Sequence, residues 1–199
     1  MPAKLVLASS SHIRAAMLRN AGLTVDARPV HIDEDMIRAS LAAKDTTSRD
    51  VADTLAELKA RRVSAEDPQV LVIGCDQVLD CQGRIYSKPE SAGEARDQIR
   101  VLSGRSHRLY SAVAVVRDGE PLWRHVGVAR LTMRALSESY LDDYVRRNWG
   151  SIRHSVGGYK LEEEGVRLFS RIEGDYFTIL GLPLIELLTW LSIRGDITT

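Results

Sequence analysis

Apolar positions along the chain fall into two rhythms. Two short unbroken runs, Leu5-Val6-Leu7-Ala8 and Val70-Leu71-Val72-Ile73, have the length of strands covered on both faces. Longer stretches repeat at helical spacing. After the first run, Ile13, Met17 and Ala21 share one side of a helix, which Gly22 stops because glycine tolerates the left-handed C-terminal position. Val51, Leu55 and Leu58 fall at i, i+4 and i+7 and predict an amphipathic helix over Asp50–Val63, with a capping box at Thr47-Ser48-Arg49-Asp50. A second capping box, Ser91-Ala92-Gly93-Glu94, opens a helix that buries Ala95, Ile99 and Leu102 and ends at Ser103-Gly104. Ser137 caps another, with Leu136 and Leu141 spaced as a hydrophobic staple and Tyr140 and Tyr144 pointing inward. The last helix starts at Gly181-Leu182-Pro183, with proline in its first turn, and buries Ile185, Leu188 and Leu191.

Between these helices the pattern alternates with a period of two. Thr24–Val30 reads as a strand, and Val78–Tyr86 as a hairpin with Gln82-Gly83 at its tip. His107–Val116 and Leu122–Met133 are strands joined by a turn at Asp118-Gly119. Val166–Ile172 is the last strand, and Gly174-Asp175 is a further turn. Strands alternating with helices, plus two antiparallel hairpins, predict an α/β protein with a mixed β-sheet flanked by helices. Its 199 residues suit a single domain over 1–199, or one body with two lobes, and suffice for a sizeable core. There is no internal repeat and no low-complexity segment.

Charge narrows the function classes. The 27 basic and 27 acidic residues balance to a net charge of zero, which argues for no nucleic acid and no membrane surface as a general partner. Cys75 and Cys81 form no CxxC pair, and the five histidines show no HExxH spacing. A disulfide framework or structural zinc is therefore not expected, and a reducing cytoplasmic setting is. The opening residues lack the long apolar stretch of a signal peptide, and Leu180–Leu191 is too short and interrupted to span a bilayer. Neither GxxxxGK[ST] nor GxGxxG occurs.

Candidate chemistry gathers at the ends of the predicted strands. Ser9–Ser11 follow the first apolar run and precede a helix start that carries Arg14. Such a junction exposes backbone N–H groups and a helix dipole, and an arginine can fork onto a phosphate oxygen. The same serines also suit an ordinary N-cap cluster, with Arg14 solvated. His31-Ile32-Asp33-Glu34-Asp35 offers three carboxylates for a divalent metal, or equally an acidic helix start. Lys59 lies one position past the apolar stripe near its helix boundary, where a lysine usually snorkels to solvent. Gly74-Cys75-Asp76-Gln77 closes the second apolar run, and Asp76 there has the position of a catalytic carboxylate, or of a turn cap. Proline after Lys88 biases that lysine to extended backbone, and a folded-back hairpin would return it towards Asp76. The stretch from Trp149-Gly150 to Gly157-Gly158 reads as a loop able to lie over a site, and Glu162-Glu163-Glu164 as a solvated turn.

Taken together, these residues resemble the Maf family, the nucleoside triphosphate pyrophosphatases first named for septum formation. The resemblance covers nearly the whole chain. It is carried by Leu7-Ala8-Ser9-Ser10-Ser11-x-x-Arg14, Asp33-Glu34, Leu58-Lys59-Ala60, Ile73-Gly74-Cys75-Asp76-Gln77-Val78 and Lys88-Pro89. Ser103-Gly104-Arg105-x-His107, Ile172-Glu173-Gly174-Asp175-Tyr176 and Gly181-Leu182-Pro183-Leu184 complete the series.

The resemblance implies a Maf-type, ITPase-like fold, an elongated mixed sheet with two lobes and a central cleft. It implies cleavage of a nucleoside triphosphate between the α and β phosphorus atoms, giving a nucleoside monophosphate and pyrophosphate. A divalent metal cation (Mg, Mn or Co) is the implied cofactor. The family's proton acceptor falls on Asp76, which Glu34 would join at the metal. Arg14, Lys59 and Lys88 would stabilise the leaving charge, and Ser9–Ser11 would donate hydrogen bonds to phosphate. Gln77 and Glu162 match the 7-methyl-GTP branch, whereas the dTTP and UTP branch carries threonine and glutamine there; a carboxylate suits guanine's N1–H and amino group. His12 stands where the family has proline, and Ile13 stands where that branch has a stacking tryptophan. Family members are often dimers, so a homodimer is one expectation, and sanitising modified nucleotides is the implied purpose. Two rival readings are a non-catalytic nucleotide-binding regulator of cell division and a phosphomonoesterase.

Overall fold

The computed structural model describes residues 4–42 and 46–198, with the side chains of Asp35 and Ala42 left aside. Its strands are β1 (Leu5–Ala8), β2 (Val25–Ala27), β3 (Leu71–Cys81), β4 (Arg84–Tyr86), β5 (Ser106–Arg117), β6 (Glu120–Met133) and β7 (Phe169–Glu173). Its helices are α1 (His12–Asn20), α2 (Glu34–Ala42), α3 (Ser48–Ser64), α4 (Ala92–Leu102), α5 (Glu138–Ile152), α6 (Tyr176–Ile179) and α7 (Leu184–Ile193). Together the strands form one seven-stranded sheet in the order β2-β1-β3-β5-β6-β7, with β4 on β3. β1 pairs parallel with β2 and β3, whereas β3–β4 and β6–β7 are antiparallel. The expected mixed α/β sheet flanked by helices is therefore present.

The chain divides into two units. The first holds the described residues up to Gln77, Ser111–Gly127 and those from Gly181 onward; the second holds Val78–Tyr110 and Val128–Leu180. β3, β5 and β6 each contribute residues to both.

In the first unit, all four residues of β1 are buried, as an unbroken apolar run requires. Its helix α1 buries Ala15, Met17 and Leu18, while Ala21 is exposed at the C-cap rather than on the inner face. β2 is shorter than expected, beginning after exposed Thr24 and stopping before Pro29, which offers the ladder no N–H. α3 is capped by the Thr47 hydroxyl, which accepts from the Asp50 N–H at 3.2 Å and donates to its carboxylate at 2.6 Å. It runs past Val63 to Ser64, and its buried stripe is Val51, Ala52, Leu55, Ala56, Lys59, Ala60 and Val63. Leu58 is off that stripe and exposed, so Lys59 lies inside the stripe, about a turn and a half before the helix end. The final helix is turned by one position from expectation. Leu184, Leu187 and Leu191 are buried, and Ile185 is 52% exposed.

The largest departure concerns β3, which does not stop at Gly74. It runs eleven residues through Gly74-Cys75-Asp76-Gln77. Gly74 is not a break but a close approach. A Cβ there would lie 2.1 Å from the Ala56 carbonyl oxygen and 2.8 Å from Ala60 Cβ. Helix α3 therefore lies directly on the strand.

In the second unit the Gln82-Gly83 turn has positive φ at both residues, as a tight hairpin needs. In the first unit, the expected turn between β5 and β6 likewise has positive φ at Asp118 and Gly119. α4 and α5 are capped by Ser91 and Ser137, and Leu141 and Tyr144 face inward, while Tyr140 is half-buried. Val166 lies in a 3₁₀ turn (Glu164–Leu168), so the last strand starts only at Phe169.

Of the stretch expected as a loop over a site, residues 149–152 belong to α5 and the glycines at its end pack inside the unit. Gly157 and Gly158 are buried at positive φ, and a Cβ on Gly157 would meet Leu79 Cδ1 at 2.5 Å. The acidic run is not merely solvated. Glu164 accepts from Arg147 at 2.7 Å and Asn148 at 2.8 Å, which hold its carboxyl down at about 2, and Glu163 accepts from Ser151 at 2.8 Å.

His107 is buried in this unit, with Nε2 at 2.7 Å from the Tyr159 hydroxyl and Phe169 beside both rings. Burial pushes its pKa down from 6.5 to about 4. The unfolded chain takes up that proton near 6.5, so the native state loses ground as the pH falls from there to about 4. Urea unfolding across that range should show about 3 kcal/mol of stability lost through this one group. A His107→Leu variant, less stable at neutral pH, should show a correspondingly flatter pH dependence.

Candidate active site

β1 ends opposite Gly74, so the chain leaves the sheet at Ser9 beside the middle of β3. The three serines turn it into α1. Ser11 is the N-cap, its hydroxyl accepting from the Arg14 N–H at 3.4 Å, and Ser9 Oγ accepts from the Ser11 N–H at 3.2 Å. These serines do cap the helix. Arg14, by contrast, is not a solvated residue. Its Nε donates to the Gly181 carbonyl at 2.8 Å, and Nη1 donates to the Cys75 carbonyl at 3.2 Å and to Ser9 Oγ at 3.4 Å. Three separate pieces of chain thus hold one guanidinium flat.

Directly after Cys75 comes Asp76, in mid-strand rather than at the strand end. Its side chain is 5% exposed, and that of Lys59 is 11% exposed. The close seat of α3 on Gly74 brings Lys59 Nζ to 2.6 Å from Asp76 Oδ1. The same ammonium lies 2.7 Å from Glu34 Oε1, and Arg38 Nη2 binds Glu34 Oε2 at 2.9 Å. Charges therefore alternate along Asp76, Lys59, Glu34 and Arg38. Burial raises the Asp76 carboxyl above its ordinary range; the Lys59 charge opposes that shift and Glu34 adds to it. The neighbouring Cys75 thiol is pushed up to about 11 by burial, which rules out a thiolate there at neutral pH.

The acidic segment divides its tasks. Asp33 caps α2, accepting from the Met36 N–H at 2.9 Å, and Glu34 faces Lys59. The Asp35 side chain, expected as a third carboxylate, lies outside the described ones. Gln77 donates from Nε2 to the buried Ser111 hydroxyl at 2.9 Å. Ile13 is half-buried on α1. Ser9, Ser11, Arg14, Glu34, Lys59, Asp76 and Gln77 all belong to the first unit; Lys88 and Glu162 belong to the second, each exposed on an irregular segment. Arg38 was not anticipated, although its i+4 spacing from Glu34 on a helix signals the pair. Ser111 had no signal, and Gly181, although part of a quoted motif, had none that pointed to Arg14, since only the folded chain brings them near.

Among the described residues no group of three or more His, Cys, Asp or Glu side chains gathers to form a metal cage. Two carboxylates nevertheless meet at one ammonium, and Asp76 Oδ2 is buried without a hydrogen-bond partner among those residues. That donor set fits a magnesium-type cation, which takes one or two carboxylates and fills its remaining positions with water and phosphate oxygens.

The family model described as "Maf-like protein" matches residues 4–193. The chain belongs to the Maf family. Among curated Maf relatives, a nucleoside triphosphate pyrophosphatase from Roseobacter denitrificans is 56% identical over 197 residues, 99% of each chain. One of the same name from Ruegeria pomeroyi is 54% identical over 199 residues, the whole of both chains. A 7-methyl-GTP pyrophosphatase from Rhizobium etli is 48% identical over 197 residues, again 99% of each. The expected family membership is thereby established.

In this Maf chain, Lys59 is the cation that makes a buried Asp76 tolerable. Replacing it by methionine leaves two carboxylates facing each other, one of them buried. Lys59→Met should cost about 3–5 kcal/mol at pH 7.5 in urea unfolding. The gap to wild type should narrow as the pH falls, because a protonated Asp76 no longer needs the partner.

Proposed function

We propose that this Maf-family chain is a hydrolase of nucleoside triphosphates that cleaves between the α and β phosphorus atoms, releasing nucleoside monophosphate and pyrophosphate. End-to-end identity of 56% to a relative named for that activity carries the reading. The names of the relatives support the enzyme and give none to a regulator of cell division.

The residues of the first unit suit this chemistry. Water attacking the α-phosphorus must lose a proton, and Asp76 accepts it. Its burial raises the carboxyl above its ordinary range, which favours a general base, and Lys59 holds Oδ1 while Oδ2 has no hydrogen-bond partner among the described residues. Arg14 offers Nη2 to phosphate oxygens whose charge grows as pyrophosphate leaves, with Ser9 and Ser11 beside it. Lys88 is a further cation suited to phosphate charge. A divalent cation, Mg, Mn or Co, would be held by Glu34 and Asp76 and would neutralise phosphate charge and acidify bound water. Among the described residues no helix is long and apolar enough to cross a membrane, and two buried free thiols suit a cytoplasmic setting.

Gln77 and Glu162 give the base preference, towards guanine and its 7-methylated form, and the Rhizobium etli relative is named a 7-methyl-GTP pyrophosphatase. A carboxylate at Glu162 accepts from N1–H and the amino group and attracts the methylated ring's positive charge. Ile13 supplies no aromatic face, so stacking contributes little there.

Product analysis with purified protein and magnesium or manganese tests this reading, on the common nucleotides plus 7-methyl-GTP, 5-methyl-UTP and pseudo-UTP. Monophosphate and pyrophosphate are expected, and Asp76→Asn should lose about 10²–10⁴-fold in kcat. Release of orthophosphate would instead make it a phosphomonoesterase, and binding without turnover would make it a regulator.

A further inference from the structure

We propose that Gly181, which the sequence marks as the start of a helix and as part of a family motif with no role of its own, is a positioning residue for the substrate's phosphates that acts through Arg14. The proposal rests on the reading of Arg14 as a phosphate ligand.

An arginine side chain carries five N–H donors on three nitrogens in a fixed plane. In Arg14 two of those nitrogens are committed: Nε to the Gly181 carbonyl at 2.8 Å, and Nη1 to the Cys75 carbonyl and Ser9 Oγ. Nη2 has no hydrogen-bond partner among the described residues. It is therefore the nitrogen presented to a ligand. The bond to Gly181 and the bond to Cys75 come from different sides of the guanidinium, so together they set both its plane and the direction of Nη2.

Gly181 also determines what stands next to that nitrogen. Its φ is +98°, and a Cβ built on it would lie 3.0 Å from Arg14 Nη2 and 3.2 Å from Nε. The nearest atom to a new methyl group is thus the one free nitrogen of the guanidinium. An alanine there would press Arg14 off its two carbonyls and fill the ground a phosphate oxygen would take. The carbonyl is itself firmly placed. Leu182 and Leu184 are fully or almost fully buried on either side of Pro183, and the Pro183 carbonyl accepts from the Leu187 N–H at 3.2 Å. The segment is anchored by α7 and cannot follow Arg14 if the guanidinium moves.

The alternative is that Gly181 merely ends a short helix at positive φ and meets Arg14 incidentally. A double-mutant cycle separates the two, with magnesium pyrophosphate as the probe in titration calorimetry. It uses the full-length wild type, Gly181→Ala, Arg14→Ala and the double variant, with urea unfolding on each. Gly181→Ala should weaken pyrophosphate binding about tenfold in the wild-type background and less than about twofold in the Arg14→Ala background, and its stability loss should be smaller in the latter, where the new Cβ meets no guanidinium. Gly181→Asn, whose side chain tolerates positive φ better, should recover stability without recovering affinity. Equal loss of affinity in both backgrounds, unchanged affinity in Gly181→Ala, or no pyrophosphate binding by the wild type would overturn the proposal. A wild type that binds pyrophosphate but hydrolyses no nucleotide would refute the enzymatic reading, and the affinity cycle would still decide the role of Gly181.

Discussion

A carboxylate buried in the middle of a β-strand is the constraint around which the first unit is built. Asp76 sits on β3 between Cys75 and Gln77, with its side chain almost wholly removed from water. An ionised group there costs several kcal/mol unless a cation meets it. The cation is Lys59, and for it to arrive α3 must lie closer to the sheet than a Cβ at position 74 would allow. The glycine, the alanines at 56 and 60, the lysine and the aspartate are therefore one solution to one electrostatic demand. Replacing a buried pair with apolar side chains commonly costs nothing or stabilises, so such a pair is best explained by the chemistry it serves.

Around this pair the charges alternate outward. Glu34 meets Lys59 and Arg38 meets Glu34, so each oxygen of Glu34 is already engaged with a cation. The site thus holds its anions apart by interposed cations. Arg14 follows a different rule. It is held by neutral backbone carbonyls, from Cys75 and Gly181, which orient it without cancelling its charge. A guanidinium held this way keeps its full attraction for phosphate.

The second unit has another character. Its centre is the aromatic group of His107, Tyr159 and Phe169, with Gly157 and Gly158 packed closely enough to exclude any side chain at the first. A neutral imidazole is tolerated there because burial depresses its protonation, at the cost of stability in acid. Its acidic turn is tied to α5 by Arg147 and Asn148, which gives the segment carrying Glu162 a fixed base.

Much of this was legible in the sequence. Local rules were enough for the caps at Ser11, Thr47, Ser91 and Ser137, the tight turns at Gln82-Gly83 and Asp118-Gly119, and the buried runs of β1 and β3. In each, the deciding interactions lie within a few residues of one another. The order of the motifs also named the family, because no single piece but the whole series is specific. What only the tertiary structure decided are the places where distant segments meet. Gly74 looked like a strand end and proved to be a helix seat, since a glycine signals freedom of φ and closeness of approach with the same letter. Lys59 looked like a surface lysine because helical phase, read from Leu58, was off by one position; the true phase was set by the sheet beneath. Arg14, too, was either solvated or functional on local grounds. Its fate was settled by carbonyls 61 and 167 residues away, and a backbone carbonyl belongs to every residue alike, so no sequence pattern can announce which one will matter.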